Sequence, residues 1–256
     1  MEKLITKTRR INDLIQHCGR EAIDFEKMAR VLSNCIGANV YIIDDEGKIL
    51  GSQLRNKFSC ELMKEEVVEK GQFPQEYNQW LLENYHMLTN YEERDNLCSF
   101  KDERCCFKKK LITITPINGA QKRLGTLIIS RFDEKFDDSQ LLLAEYGATV
   151  VGMEILRLSK KKSEKEARQK TAVNIALRSL SHLELEAVGH VFEKLDGEEG
   201  LLVTSKIADK MGIARSIIVN GLRKLESADV IESRSLGMKG TYIKVLNDKI
   251  LNKISA

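Results

Sequence analysis

Residues 204–247, TSKIADKMGIARSIIVNGLRKLESADVIESRSLGMKGTYIKVLN, leave little freedom in how the C-terminal part of this chain folds. They read as a winged helix-turn-helix. Thr204 or Ser205 is placed to cap a short helix beginning at Lys206. Ala208 is small enough for a second helix to approach closely. Gly212 follows where the turn needs a left-handed backbone, which glycine adopts at little cost. A second helix is expected from about 215 to 228. Its Ile218, Leu222 and Leu225 recur at i, i+4 and i+7 and share one face, and Ser216, Asn220, Arg223 and Ser227 fall opposite. That outer face is polar and carries no acid, as a helix entering the major groove of DNA requires. Arg215 and Ser216 occupy its first turn. Beyond it, VIESRS and TYIKVL are expected to pair as a wing around residues 237–240, with Lys239 at the tip and Arg234 and Lys244 on the arms. The expected DNA-contacting set is therefore Thr204, Ser205, Lys206, Arg215, Ser216, Asn220, Arg223, Lys224, Arg234, Lys239, Gly240 and Lys244. A small helical domain that binds protein is the competing reading of the same stretch.

Charge is distributed in the same sense. The whole chain has 256 residues and a formal charge of +3, yet residues 204–256 carry ten Lys and Arg against five Asp and Glu, a balance of +5. The remainder is left at −2, so positive charge sits with the expected DNA reader. Residues 1–18 carry charges throughout and have no apolar core, which argues against a secretory signal. The most apolar run, residues 141–156, is short and interrupted by Glu145 and Glu154, so no membrane span is expected. Six scattered cysteines (Cys18, Cys35, Cys60, Cys98, Cys105, Cys106) then read as reduced thiols of a cytoplasmic protein. Cys98, Cys105 and Cys106 lie close in sequence but lack a nearby histidine or a CxxC pair, so no metal site is expected.

The rest of the chain reads as an α+β sensor followed by a long helix. An amphipathic helix with Leu4, Ile11, Leu14 and Ile15 on one side ends at Gly19, and a second begins at Asp24 with Phe25, Met28, Leu32 and Ile36 inward. A hairpin follows, with Val40, Ile42 and Ile43 on one strand, residues 45–47 in the turn and 49–52 returning. Helices are expected from about 60 to 70 and after Pro74, where Tyr77, Trp80 and Leu81 are apolar. Residues 87–109 read as loop with one short strand near 97–100. LITITPI and LGTLIISRF, joined by a Gly-containing turn, complete an antiparallel sheet. This order suits a GAF- or PAS-like domain enclosing a ligand pocket, unless its loops merely cover the sheet. Residues 1–136 would form the sensor, 137–180 a helical linker with a solvated run at Lys160, Lys161 and Lys162, and 181–256 the winged helix-turn-helix. The apolar start of the linker is expected to be buried against the sensor, a partner subunit or both.

AEYGATVVGMEILR, SKIADKMGIARSIIVNGLRKLES and VIESRSLGMKGTYIKVLN resemble the CodY family of nutritional repressors of low-GC Gram-positive bacteria, as do KTRRIN and RLGTLIISR. The resemblance covers essentially the whole chain, with residues 44–110 more diverged. It implies a GAF-type domain that binds branched-chain amino acids, isoleucine first, and a DNA-binding winged helix. A homodimer of such chains would hold an AT-rich imperfect palindrome of double-stranded DNA. Residue by residue, the family's Phe-Pro and following tyrosine match Phe73, Pro74 and Tyr77, and its pocket methionine matches Met63. Its second aromatic matches Phe100, with Ser99 beside it and Cys98 near a family threonine. Leu62 stands where the family carries the arginine that holds the ligand carboxylate. Leucine offers no bidentate fork. Either backbone N–H groups near Phe100 with a lysine or Arg94 take over, or affinity and ligand choice differ. GTP, the second effector of some members, is served there by basic residues in the first hairpin. Here the corresponding site would hold Asp44, Lys48, Phe25 and Glu154, with Asp45 and Glu46 adjoining. Carboxylates beside a triphosphate repel it, so GTP is expected to bind weakly or not at all.

Two other readings remain. The same architecture could answer to a different ligand or to thiol oxidation at Cys98, Cys105 and Cys106. A small-molecule enzyme is the remote one: His17, His86, His182 and His190 are scattered, and no nucleophile–base pattern, P-loop or metal motif is present. No catalytic residue and no cofactor are expected.

Overall fold

The computed structural model describes residues 2–16, 24–55, 63–92, 97–98, 101–104, 109–132 and 134–254. It divides into two compact units, Met1–Ser159 and Lys160–Ala256. The first opens with α1 (Glu2–Gln16) and α2 (Phe25–Ile36). Asp24 caps α2 as the sequence predicts, its carboxylate accepting from the Glu26 N–H at 2.9 Å. Ile11 and Leu14 of α1 meet Met28, Leu32 and Ile36 of α2 in one buried layer. The predicted end of α1 at Gly19 and the side chain of Ile15 lie outside the described residues.

The hairpin β1 (Asn39–Asp44) and β2 (Ile49–Gln53) precedes a helical turn at Lys64–Val68 with π-type hydrogen bonding and α3 (Gln75–Glu83). The predicted helix over 60–70 is thus seen only in its second half, since 56–62 are outside the described residues. β3 (Leu88–Glu92), β6 (Lys110–Gly119) and β7 (Lys122–Phe132) complete an antiparallel sheet in the order β2-β1-β7-β6-β3, while β4 (Leu97–Cys98) and β5 (Lys101–Arg104) pair separately. Two-residue alternation gives this sheet two apolar faces. Val40, Ile42, Leu127 and Ile129 point to α1, α2 and the next helix. Tyr41, Ile43, Ile112, Ile114 and Ile128 point to the side of α3 and the helical turn.

β3 corrects the expectation of loop over 87–109. LTNYE lacks a β-branched run because it is an edge strand with one partner, irregular between Leu88 and Tyr91. Asn90 interrupts it at a φ of 50° and fixes the sheet edge to the following segment. Its side chain exchanges hydrogen bonds with the Phe136 backbone, accepting from N at 2.7 Å and donating to O at 3.1 Å. The turn between β6 and β7 is built on Ala120 and Gln121, both with positive φ (50° and 62°), rather than on a glycine.

α4 (Asp138–Ser179) is one continuous 42-residue helix. Its start buries Leu143, Ala144, Ala148, Val150 and Val151 in the first unit. Leu142 and Met153 remain exposed, so the expected burial is one-sided within this chain. Lys160, Lys161 and Lys162 are exposed as expected. No helix among the described residues is long and apolar enough to cross a membrane.

In the second unit, Val173 and Ala176 of α4 pack with α5 (His182–Glu193), α6 (Thr204–Met211) and α7 (Arg215–Ser227). Ser181 caps α5 in a full capping box with Glu184. β9 (Ile231–Ser235) and β10 (Thr241–Val245) form the predicted wing, and α8 (Leu251–Ile254) closes the chain. A third strand, β8 (Glu199–Leu202), pairs with β10 to give the order β8-β10-β9, one strand more than the two expected for the wing. α6 also differs from expectation at its start. It begins at Thr204, so Val203, whose side chain has no polar atom, takes the cap position and makes no side-chain cap bond.

Candidate functional site

The helix-turn-helix is assembled by local chemistry and then locked from behind. Gly212 ends α6 at a φ of 67°, the left-handed value the turn requires. Ile218, Leu222 and Leu225 of α7 are buried against α5 and α6, leaving Ser216, Asn220, Arg223 and Ser227 exposed on the opposite face. Replacing Ile218 by alanine would cost about 2–5 kcal/mol for the cavity it leaves. Gly221 allows α7 to lie close to α5, since a Cβ there would stand 2.7 Å from Val188 Cγ2.

α7 starts with no side-chain cap and no acidic residue in its first turn. Its leading N–H groups and the helix dipole therefore present a local positive end. Arg215 lies at that end, and its Nε–H donates to the buried Thr204 hydroxyl at 3.3 Å. Thr204 is thus an interior partner of Arg215, beneath half-buried Ser205 and exposed Lys206. Between α7 and the wing runs a groove of about 210 Å³, lined by Arg215, Val219, Leu222, Arg223, Glu226, Ser233, Ser235 and Thr241. Glu226 fastens the wing to α7, accepting from the Ser233 N–H at 3.1 Å and hydroxyl at 3.0 Å.

The remaining DNA-set residues divide. Lys239 is exposed at the tip, where Gly240 is buried. Lys224 turns away from the outer face; its ammonium donates to Glu184 at 2.7 Å and to the Ser179 carbonyl at 2.9 Å. Arg234 pairs with Glu232 at 2.6 Å and Lys244 approaches Glu199 at 3.8 Å, on the wing face opposite Ser233 and Ser235. These three cations are held by structural carboxylates that the charge count of residues 204–256 did not include or assign.

In the first unit, Met63, Phe73 and Tyr77 meet in the apolar layer on the second face of the sheet. Phe73 makes an edge contact with Tyr41 and stacks with Tyr77, each at 5.7 Å between ring centroids. The aromatic row continues from Tyr77 to Trp80 at 5.4 Å and from Trp80 to Tyr91 at 5.6 Å. Pro74 precedes α3 at its cap position. The Phe73 segment is stitched to the hairpin, with Phe73 N–H donating to the Gly47 carbonyl at 2.9 Å and Ile49 N–H to that of Gly71 at 2.8 Å. Arg123 secures the far end of α3 by donating to the Asn84 carbonyl at 2.9 Å and the Leu81 carbonyl at 3.3 Å. Leu62, Ser99, Phe100 and the side chain of Cys98 lie outside the described residues, as do Arg94, Cys105 and Cys106.

Of the residues matched to a GTP site, the hairpin brings together Asp44 and Lys48. Asp44 Oδ1 accepts from the Glu46 N–H at 3.1 Å and the Lys48 N–H at 2.8 Å, so this carboxylate shapes the turn. Phe25 stands at the start of α2, half-buried. Glu154 is buried on α4, bound in a fork by Arg157 at 2.7 and 2.8 Å. Among the described residues no group of three or more His, Cys, Asp or Glu is placed to hold a metal ion. The Cys35 thiol is buried, and burial pushes it above its ordinary pKa.

A family model described as the CodY GAF-like domain matches residues 3–179, and one described as the CodY helix-turn-helix domain matches residues 198–256. The chain is 52% identical over 255 residues to a global transcriptional regulator CodY of Clostridium botulinum, covering 99% of this chain and 98% of that one. It is 51% identical to the protein of that name in Clostridium tetani, over the same shares of both chains. A solved cofactor-binding GAF domain of the nutrient sensor CodY from Clostridium difficile is 32% identical, covering 59% of this chain and 97% of that domain at a TM-score of 0.43. With both units matched and identity sustained from end to end, the chain belongs to the CodY family, a GAF-like sensor joined through a long helix to a helix-turn-helix DNA-binding domain.

Proposed function

We propose that this chain is a global, mainly repressing transcriptional regulator whose DNA affinity is raised by a branched-chain amino acid, isoleucine first. Residues 1–136 would sense the effector, 137–180 link and 181–256 bind DNA in the cytoplasm. Two copies would place their α7 helices in successive major grooves of an AT-rich imperfect palindrome. The observation that carries the reading is the exposed, acid-free face of Ser216, Asn220, Arg223 and Ser227 on a helix with an uncapped start. In the sensor, the cluster of Met63, Phe73 and Tyr77 supplies the apolar contacts a branched side chain needs. Leu62 supplies no charge for the ligand carboxylate, which favours modest affinity. The Asp44 turn favours weak or no GTP response, since its backbone is arranged around a carboxylate.

Fluorescence anisotropy with an AT-rich duplex enriched from a randomised pool tests the reading. Wild-type binding should tighten with isoleucine and weaken steeply with salt. Ser216→Ala should abolish preference for the enriched duplex over a scrambled one while the chain still melts cooperatively. Full retention of that preference would remove α7 as the reading helix.

A further inference from the structure

We propose that Thr204 is a positioning residue, its buried hydroxyl turning the Arg215 guanidinium into the groove between α7 and the wing, where Arg215 and Arg223 seat one DNA phosphate. This deepens the DNA-binding reading and rests on it. Thr204 is 1% exposed, so its hydroxyl has left water and needs a partner inside the fold. Arg215, eleven residues on, provides one through Nε. That choice of nitrogen matters. With Nε occupied, the two terminal NH₂ groups remain side by side, the arrangement that grips two oxygens of a phosphate. The hydrogen bond also restricts a long side chain before DNA arrives, so less rotamer freedom is lost on contact.

The stripe Arg215, Val219 and Arg223 follows i, i+4 and i+8 along α7, and both arginines border the same groove. Ser235 and Thr241 add hydroxyl donors from the wing. The one acid in the lining, Glu226, has both oxygens engaged by Ser233, which tempers its repulsion of an anion. Ser216 and Asn220 lie off this groove on the outer face. Arg223 borders both the groove and that outer face, so α7 presents a phosphate-facing edge beside a face reading bases, two functions that differ in salt dependence and sequence dependence.

The test measures affinity of the full chain against salt concentration for the enriched duplex and for a scrambled duplex of equal composition. Thr204→Val should weaken both duplexes alike, roughly threefold or more at moderate salt, and lower the slope of log affinity against log salt by about one. Thr204→Ser should restore both. In an Arg215→Gln background, Thr204→Val should add no further loss. An unchanged slope, an effect that persists without Arg215, or a changed ratio between the two duplexes would each overturn the assignment. Should Thr204→Val fail to fold, Thr204→Ala takes its place in the same measurements: a slope lowered by about one that is absent in the Arg215→Gln background supports the assignment, and an unchanged slope overturns it. A wild-type chain that holds neither duplex at low salt sinks the DNA-binding reading itself.

Discussion

Glu184 shows how one side chain can serve two neighbours. Its carboxylate completes the capping box by accepting from the Ser181 N–H at 2.7 Å and also receives the Lys224 ammonium at 2.7 Å. The bond from Lys224, followed by that from Ser181, holds the carboxyl below its ordinary pKa of 4.5. A depressed folded-state value means that this stabilisation is complete above the unfolded-state pKa and is lost as pH falls through the folded one. Glutamine also fits the third position of a capping box, so Glu184→Gln removes the charge and keeps the cap, whereas Glu184→Ala removes both. Lys224 is 41% exposed, and solvent reduces the charge component to under about 1 kcal/mol. Glu184→Ala should therefore lose about 1–2 kcal/mol at neutral pH and Glu184→Gln distinctly less. The gap between wild type and Glu184→Gln should close on acidification below the ordinary carboxylate range, as read by thermal melts over a pH series. A gap constant with pH would mean the ion pair contributes nothing. Neither this pair nor the Thr204–Arg215 bond was legible in the sequence. A threonine before a helix reads as a cap, and nothing in its spacing says that its oxygen serves an arginine eleven residues away. A lysine on a recognition helix reads as a phosphate contact until Glu184, forty residues earlier, folds beneath it.

At the scale of elements, the β6–β7 hairpin carries a local conflict that the sheet overrules. Two-residue hairpin turns with positive φ at both positions favour Asn-Gly, yet Ala120 and Gln121 adopt them here. Registry of β6 on β7, from Lys110 opposite Phe132 to Gly119 opposite Lys122, leaves no other place for the chain to reverse. Each L side chain in that region is strained, so the double change Ala120→Asn with Gln121→Gly should stabilise the hairpin by about 1 kcal/mol. Differential scanning calorimetry should show a melting temperature raised by roughly 2–4 °C; a decrease would mean the side chains at these positions make contacts that outweigh the backbone strain. The same contrast explains what the sequence revealed. α2 and α7 bury one face and β1 and β7 bury both, each against several neighbours, and their apolar residues announce them. β3 and β8 are edge strands whose pairing is decided by distant partners, β6 for one and β10 for the other, and EGLL and LTNYE carry no comparable pattern. Of the proposed sensor pocket, Phe73, Pro74 and Tyr77 were singled out only through the family resemblance, while the approach of Tyr41 and Tyr91 to that aromatic row depends on the sheet.

For the whole molecule, the proposed function requires a coupling free energy between the sensor and the DNA-binding unit. α4 contributes buried side chains to both units, from Leu143 to Val151 in one core and at Val173 and Ala176 in the other, so a single helix belongs to both folding cores. Membership in two cores is the minimum that a mechanical link needs, and it does not by itself create two states. A ligand shifts DNA affinity only by as much as it distinguishes the DNA-competent arrangement from the alternative. Linkage then imposes reciprocity: if isoleucine tightens DNA binding by some factor, bound DNA must tighten isoleucine binding by the same factor, typically 5- to 150-fold. Calorimetric titration of isoleucine into the full chain, alone and saturated with the enriched duplex, checks that equality directly. Restoring the guanidinium with Leu62→Arg should tighten isoleucine binding by roughly tenfold or more, through a bidentate contact to the carboxylate. The coupling factor itself should stay nearly constant, provided the new contact forms equally in both arrangements. Isoleucine that stabilises the chain against heat yet leaves DNA affinity unchanged would show a ligand bound without preference between the two, and the amino acid would then lose its place as the regulatory input.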